Sequence, residues 1–188
     1  MVVNLLYIGR ILIICALIAT FLGALMPLLE TIKISAPLVF IVLLLEIIVG
    51  FINPIFAALF PIVPVIYILY KLKWGLGILK ALILGIVCGC IALLFTYYFY
   101  AFEPGLVAGI IACLICFIIG KYARIIIASS FLVAPVAFLL SLILNNFGIN
   151  FLQVSSYFID LSSTCMIFSF LAATIKKYVK NKKDFAKI

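Results

Sequence analysis

Histidine is absent from this 188-residue sequence, and only five acidic residues face thirteen Lys and Arg. Without histidine there is no HExxH zinc motif and no Ser-His-Asp triad. An intramembrane aspartyl protease would need two aspartates at membrane depth. Asp160 lies in an apolar run, but the only other aspartate, Asp184, lies in the C-terminal tail. We therefore expect no catalytic residue, no metal site and no cofactor, and the chain is predicted not to be an enzyme.

Charged residues of either sign are scarce: they make up 10% of the sequence, whereas 70% is hydrophobic. Soluble domains carry roughly 25% charged residues. The composition predicts one integral membrane domain over residues 1–188, an all-α polytopic bundle of six or seven transmembrane helices. The net charge of +8 does not indicate nucleic acid, because six of the basic residues lie in the tail 176–188. Cations beside a membrane helix instead indicate membrane lipids as partners.

The six cysteines fall inside apolar runs, where cysteine is usually a small packing residue. Cys113 and Cys116 form a CxxC, a pattern that also occurs in redox and zinc sites. No second CxxC completes a zinc set. The sequence therefore favours packing.

The segment from Ala36 to Tyr70 organises the chain. Thirty-five residues with the single charge Glu46 would form a straight helix of about 50 Å, too long for a bilayer core of about 30 Å. Proline removes a backbone donor, so the segment is predicted to break at Asn53-Pro54. Broken apolar segments with a lone carboxylate are typical of membrane transport sites.

The apolar runs predict these spans: Ile11–Leu29, Ala36–Ile52, Ile55–Tyr70, Leu76–Ala101, Leu106–Gly120, Ile125–Leu144 and Asn150–Ile175. Lys and Arg concentrate in 71–80, 121–124 and the tail, which places these regions in the cytoplasm of a bacterial or archaeal cell. If Ala36–Tyr70 crosses once, there are six spans and both termini are cytoplasmic. If it crosses twice, there are seven and the N-terminus is outside.

Small residues recur every fourth position on two successive spans, a pattern that permits close helix contact in lipid. The spans are therefore predicted to form an antiparallel hairpin through two faces: Gly77, Ala81, Gly85 and Gly89 on one, and Ala108, Ala112, Cys116 and Gly120 on the other. A shorter face of the same kind lies on the first span: Ala16, Thr20 and Ala24.

Polar residues form a stripe on the last span, at three- and four-residue steps that place them on one helix face: Gln153, Ser156, Asp160, Ser163 and Thr164. Such a face either binds something polar or hydrogen-bonds neighbouring helices. Asp160 lies about ten residues into this span, so it is predicted to lie near the bilayer midplane and to face the protein interior. With Glu46 and Asn53 these residues form the candidate substrate-binding set. The partner of Glu46 must come from another helix, and Arg10 and Lys80 are the candidates.

Pro61 and Pro64, followed by LYKLKWGLGILKALILG, resemble a pattern in the substrate-binding S components of energy-coupling-factor vitamin transporters. The resemblance covers about forty residues. It implies a bundle of about six helices whose first helix docks on a transmembrane partner. No vitamin-specific motif occurs, so no ligand-binding residue is carried over.

The sequence thus predicts a small membrane transport protein or solute-binding subunit that works with partner subunits, because no Walker A motif supplies energy coupling. The alternative is a non-transporting subunit that scaffolds a larger membrane complex.

Overall fold

The computed structural model describes residues 8–32, 34–71, 75–98, 104–147 and 155–185. These residues form nine α-helices and no strand, which confirms the all-α prediction. The helices are α1 (Ile8–Phe21), α2 (Met26–Ile32), α3 (Ala36–Ile52), α4 (Pro54–Leu59), α5 (Ile62–Lys71), α6 (Leu76–Tyr98), α7 (Pro104–Ile119), α8 (Ala123–Asn146) and α9 (Ser155–Phe185). Among the described residues, three stretches are long and apolar enough to cross a membrane: Leu76–Phe95, Ala123–Asn146 and Tyr157–Val179.

Basic side chains mark one end of the helix bundle. Lys121 and Arg124 lie where α7 ends and α8 begins, and Lys80 lies in the first turns of α6, bordering the same groove as Lys121. The ammonium of Lys176 on α9 donates to the carbonyl of Phe117 at 2.9 Å. This contact satisfies a carbonyl at the C-terminal end of α7, where a cation is also favourable to the helix dipole. We call this the basic end.

Successive apolar helices run in alternating directions between the basic end and the opposite end. At the basic end, Ser35 before α3, Tyr67 on α5 and Arg124 on α8 line one cavity. At the opposite end, Gly9 of α1 and Gly105 of α7 lie against Asp160 of α9. Within the described ranges the chain therefore passes between the two ends seven times, with α4 and α5 together making one pass.

The break at Asn53 is confirmed. Asn53 has φ −154° and ψ 118°, extended backbone that ends α3. Its side-chain oxygen accepts a hydrogen bond from the amide of Ile55 at 2.9 Å, and Pro54 occupies the first position of α4, where its missing N–H costs nothing. The turn sends the chain back, so that Ala57 lies beside Gly50.

The predicted continuous span Ile11–Leu29 is wrong, because α1 ends just before Gly23 and α2 follows as a separate helix. Gly23 has φ +77°, and the amide of Ala24 donates to the carbonyl of Ala19 at 2.8 Å. This is the bond that closes a Schellman motif, a helix end that favours glycine. The end of α1 also interrupts the small-residue face predicted here, because Ala24 lies beyond the helix that carries Ala16 and Thr20.

The glycine face of α6 packs against α8 and not, as predicted, against α7. A Cβ at Gly85 would lie 2.7 Å from Cβ of Leu132, and one at Gly89 would lie 2.6 Å from Cγ1 of Val136. Ala81 is fully buried against the start of α8. The branched side chains of α8 pack into the groove that these glycines leave on α6. A search for two matching small-residue faces does not find a contact of this kind.

Gly77, the first member of the predicted face, makes no packing contact, because a Cβ there would meet nothing within 4 Å. α6 and α7 nevertheless pack together further along. The Cys88 sulfur lies 3.7 Å from that of Cys116 and 3.9 Å from the carbonyl of Ala112. Ala108 is also buried. The α7 face is therefore a packing face.

Close contacts at glycine also occur along α7 and at its C-terminal end. They involve Gly120 and two glycines outside the predicted series, Gly105 and Gly109. The amide of Gly120 donates to the carbonyl of Cys116 at 2.8 Å. A Cβ at Gly109 would lie 2.8 Å from Cβ of Thr164, and one at Gly105 would overlap the carbonyl of Tyr157. α7 thus approaches α9 through glycines that the four-residue series missed.

We predict that Gly89→Ala lowers stability and that Gly77→Ala does not. The added methyl group at Gly89 overpacks Val136, which typically costs about 1–3 kcal/mol. The same change at Gly77 meets open space and gains up to about 1 kcal/mol of helix propensity. Thermal unfolding of the purified variants in mild detergent measures the difference. Equal melting temperatures would contradict the α6–α8 contact.

Candidate functional site

α9 is the helix around which the polar side chains of the interior collect. It packs against α7 and α8 on one side and against α1, α2 and α4 on the other. Four consecutive or nearly consecutive polar residues are buried to 2% exposure or less: Asp160, Ser162, Ser163 and Thr164. The prediction that Asp160 faces the protein interior is confirmed.

Asp160 lies at the end of the bundle and not at its middle, where the sequence placed it. Its Oδ1 accepts a hydrogen bond from the amide of Gly9, the second residue of α1, at 2.8 Å. This amide belongs to the first turn of α1, where backbone donors lack helical acceptors and a negative charge is favourable. Asp160 therefore acts as an N-terminal cap supplied by another helix.

Glycine at position 9 makes this cap possible. A Cβ on Gly9 would lie 2.6 Å from Oδ1 of Asp160 and 3.0 Å from Cβ of Ser163. On the other side of the same carboxylate, a Cβ on Gly105 would lie 3.1 Å from Cβ of Asp160. The carboxylate is thus held between the first turns of α1 and α7.

Glu46 on α3 is the second buried carboxylate, with 3% of its surface exposed. Its Oε1 accepts a hydrogen bond from the hydroxyl of Ser162 at 2.8 Å. Its Oε2 has no hydrogen-bond partner among the described residues. Leaving a buried acceptor unpaired costs about 1–3 kcal/mol, and more for a charged group. This oxygen is therefore the atom of the site best placed to take a proton or a small ligand.

A small cavity of about 20 Å³ borders Glu46. Arg10, Gly50, Ala57 and Ser163 contribute to its wall. The hydroxyl of Ser163, like Oε2 of Glu46, has no hydrogen-bond partner in the described part of the chain. The volume holds about one water molecule. The site can therefore take a proton, a water or an ion of similar size, and it is far too small for a vitamin.

Arg10 supplies the positive charge of this cavity. Its guanidinium donates to the carbonyl of Gly50 at 2.8 Å and lies 5.0 Å from the ring centroid of Phe51. Arg10 and Lys80 were both candidates to partner Glu46. Arg10 shares its cavity, whereas Lys80 lines a groove on α6 at the basic end.

The predicted site residues are thus only partly brought together. Glu46 and Ser163 share the cavity, while Thr164 lies against Gly109 of α7. Asn53 caps α4 with its side chain. Gln153 lies outside the described residues, and Ser156 lies in α9 with a side chain that is not described.

Ser162 is the site residue that sequence reasoning missed. It lies outside the three- and four-residue stripe, on the side of α9 that faces α3 and α4. Its hydroxyl lies 3.5 Å from the carbonyl of Ala57. The only signal in the sequence is the run of three hydroxyl residues from Ser162 to Thr164.

The cysteines of the CxxC point to different helices. Cys116 lies beside Cys88 of α6, whereas the thiol of Cys113 lies 3.7 Å from the carbonyl of Cys165 on α9. In the described ranges no group of three His, Cys, Asp or Glu is arranged to hold a metal ion. These thiols fill the interface between α6, α7 and α9.

We predict that Asp160→Leu lowers thermal stability more than Asp160→Asn does. Asparagine keeps an oxygen that can accept from the amide of Gly9, whereas leucine leaves this buried donor unpaired, at a cost of about 1–3 kcal/mol. Unfolding of both variants in the same detergent measures the difference. If Asp160→Asn destabilises the protein as much as Asp160→Leu, the capping role is contradicted.

No protein-family model, no curated protein and no solved structure matches the chain. The function is therefore argued from the residues of this chain.

Proposed function

We propose that the chain is an integral membrane transport protein in which Glu46 binds and releases a proton, and that it works with partner subunits. The observation that carries this proposal is the buried Oε2 of Glu46, which has no partner in the described residues and borders a cavity with Arg10 and Ser163. A lone carboxylate beside a broken apolar helix is typical of proton and ion pathways in membranes.

The directions of the helices support seven transmembrane segments, whatever the role of Glu46. α3 and the α4–α5 arm run in opposite directions, so the segment Ala36–Tyr70 crosses twice. The basic end then lies in the cytoplasm with the C-terminal tail, and the N-terminus lies outside. Glu46 and Arg10 lie nearer the outer side, because Arg10 contacts the last turn of α3.

The size and charge of the cavity favour a proton over other species. A cavity of about 20 Å³ admits at most about one water. The guanidinium of Arg10 in the same wall disfavours a metal cation. Protonation of Glu46 requires no added volume. The resemblance to vitamin-binding S components therefore supports the need for partner subunits but not a vitamin at this site.

A scaffold without transport remains the second candidate, and specific contacts favour it. Asp160 caps α1, the hydroxyl of Tyr157 donates to the carbonyl of Ala92, and Lys176 closes the end of α7. Each of these polar groups ties helices together.

The proposal predicts that Glu46→Gln abolishes proton movement while the protein remains folded, because the amide keeps an oxygen for Ser162 but cannot ionise. Membrane vesicles from expressing cells, loaded with a pH-sensitive dye, measure the flux together with any native partners. Glu30→Gln is the matched control, because Glu30 is exposed on α2.

Labelling with dicyclohexylcarbodiimide, which attacks protonated carboxyl groups in apolar surroundings, provides a second readout. Wild-type protein should be labelled at Glu46, less so as the pH rises, and Glu46→Gln should lose this label. A Glu46→Gln variant with unchanged flux would rule out the proton role. Stable complexes with partner proteins in the absence of any Glu46-dependent flux would support the scaffold.

A further inference from the structure

A groove on the outer surface of α6 combines apolar walls with two ammonium groups at one end. Its volume is about 500 Å³. Leu76, Ile83 and Val87 of α6 form one wall, and residues from Ile119 to Ile125 form the other. Lys80 and Lys121 border it from opposite walls. We call it the lysine groove.

The groove exists because α6 and α7 make close contact only further along. Their thiols meet at Cys88 and Cys116, whereas nothing lies within 4 Å of the place where a Gly77 side chain would start. From Lys80 to Val87 the wall extends for about 10 Å along α6, at about 1.5 Å per residue. An acyl chain that lies along α6 would occupy this length.

The charges in the groove are of one sign, and they have no acidic partner in the described residues. Lys121 lies 5.8 Å from the ring centroid of Tyr122, and neither Lys80 nor Lys121 makes a hydrogen bond or ion pair with another described residue. Both lie at the basic end, where lipid headgroups meet the protein if this end faces the cytoplasm.

We propose that the lysine groove binds one anionic phospholipid, with its phosphate near Lys80 and Lys121 and an acyl chain against Ile83 and Val87. The arrangement of two cations above an apolar channel matches the phosphate and acyl chain of such a lipid. Basic pockets between membrane helices on the cytoplasmic side commonly hold anionic headgroups. The site is independent of Glu46 and of the transport proposal, because it shares no residue with the Glu46 cavity.

The test compares phosphatidylglycerol with phosphatidylcholine, added to the purified full-length protein in detergent micelles. Melting temperature is measured against lipid concentration, and native mass spectrometry counts the lipids that remain bound. A ligand that binds the folded state raises the melting temperature, and above Kd the rise grows with the logarithm of the ligand concentration. We expect such a rise, with one retained lipid, for phosphatidylglycerol and not for phosphatidylcholine.

Two sets of variants locate the lipid. Lys80→Gln and Lys121→Gln should each weaken phosphatidylglycerol binding about fivefold, as expected for one cation near a lipid surface. Gly77→Phe should block the groove without a clash at its Cβ. The matched controls are Lys177→Gln, which removes a charge from α9, and Ile86→Phe, which adds bulk on an exposed face of α6; both should bind like the wild type.

Equal responses to the two lipids would overturn the proposal. So would a phosphatidylglycerol response that survives in the double variant Lys80→Gln, Lys121→Gln. Gly77→Phe cannot be used to locate the lipid if it already lowers the melting temperature with phosphatidylcholine as the added lipid and no phosphatidylglycerol present. In that case the lysine variants test whether the groove binds the lipid, because their exposed side chains can be changed without disturbing the core.

Discussion

The turn at Asn53-Pro54 is the constraint on which the rest of the arrangement depends. Proline cannot continue the hydrogen bonding of α3, and Asn53 satisfies the first free amide of α4 at 2.9 Å. The chain therefore reverses within two residues. This reversal places Glu46 on one arm and Ala57 on the other, both against Ser162 of α9. The Glu46 cavity is thus formed by a turn that the local sequence dictates.

The second constraint is the free-energy cost of burying the polar side chains of α9 in an apolar interior. A buried polar atom without a hydrogen-bond partner costs free energy, because folding removes the water that would otherwise bond it. Asp160 obtains its partner from the first turn of α1, and Ser162 obtains one from Glu46. These pairings fix how α1 and α3 lie against α9. Oε2 of Glu46 has no partner among the described residues, and the same holds for the hydroxyls of Ser130, Ser163 and Thr164. Glu46 is the one of these four groups that can carry a charge, and departures of this kind are expected at functional sites.

Local signals in the sequence predicted local features of the fold well. Proline after asparagine predicted the end of α3, and the periodicity of the last span predicted that Asp160 faces inward. The end of α1 just before Gly23 was missed, because the residues on both sides are as apolar as the helix and glycine is common inside membrane helices. The φ of +77° at Gly23 shows the turn. Ser162 was missed because its partner, Glu46, is 116 residues away in the chain.

Pairings between helices were the hardest to predict. Small residues at four-residue spacing indicate that a helix is approached closely, but not by which neighbour. Gly85 and Gly89 accommodate Leu132 and Val136 of α8, whereas the sequence paired them with the small face of α7. The depth of Asp160 was also misjudged, because nothing in the sequence shows that its carboxylate caps the first turn of α1.

We propose that the reversal at Asn53 gives the chain an odd number of membrane crossings. Epitope tags at residue 1 and after residue 188, probed with antibodies in intact and in permeabilised cells, test it most directly. With seven crossings and a cytoplasmic C-terminus, the N-terminal tag should be detected in intact cells and the C-terminal tag only after permeabilisation. Detection of both tags under the same condition would contradict it, because both termini would then lie on one side of the membrane.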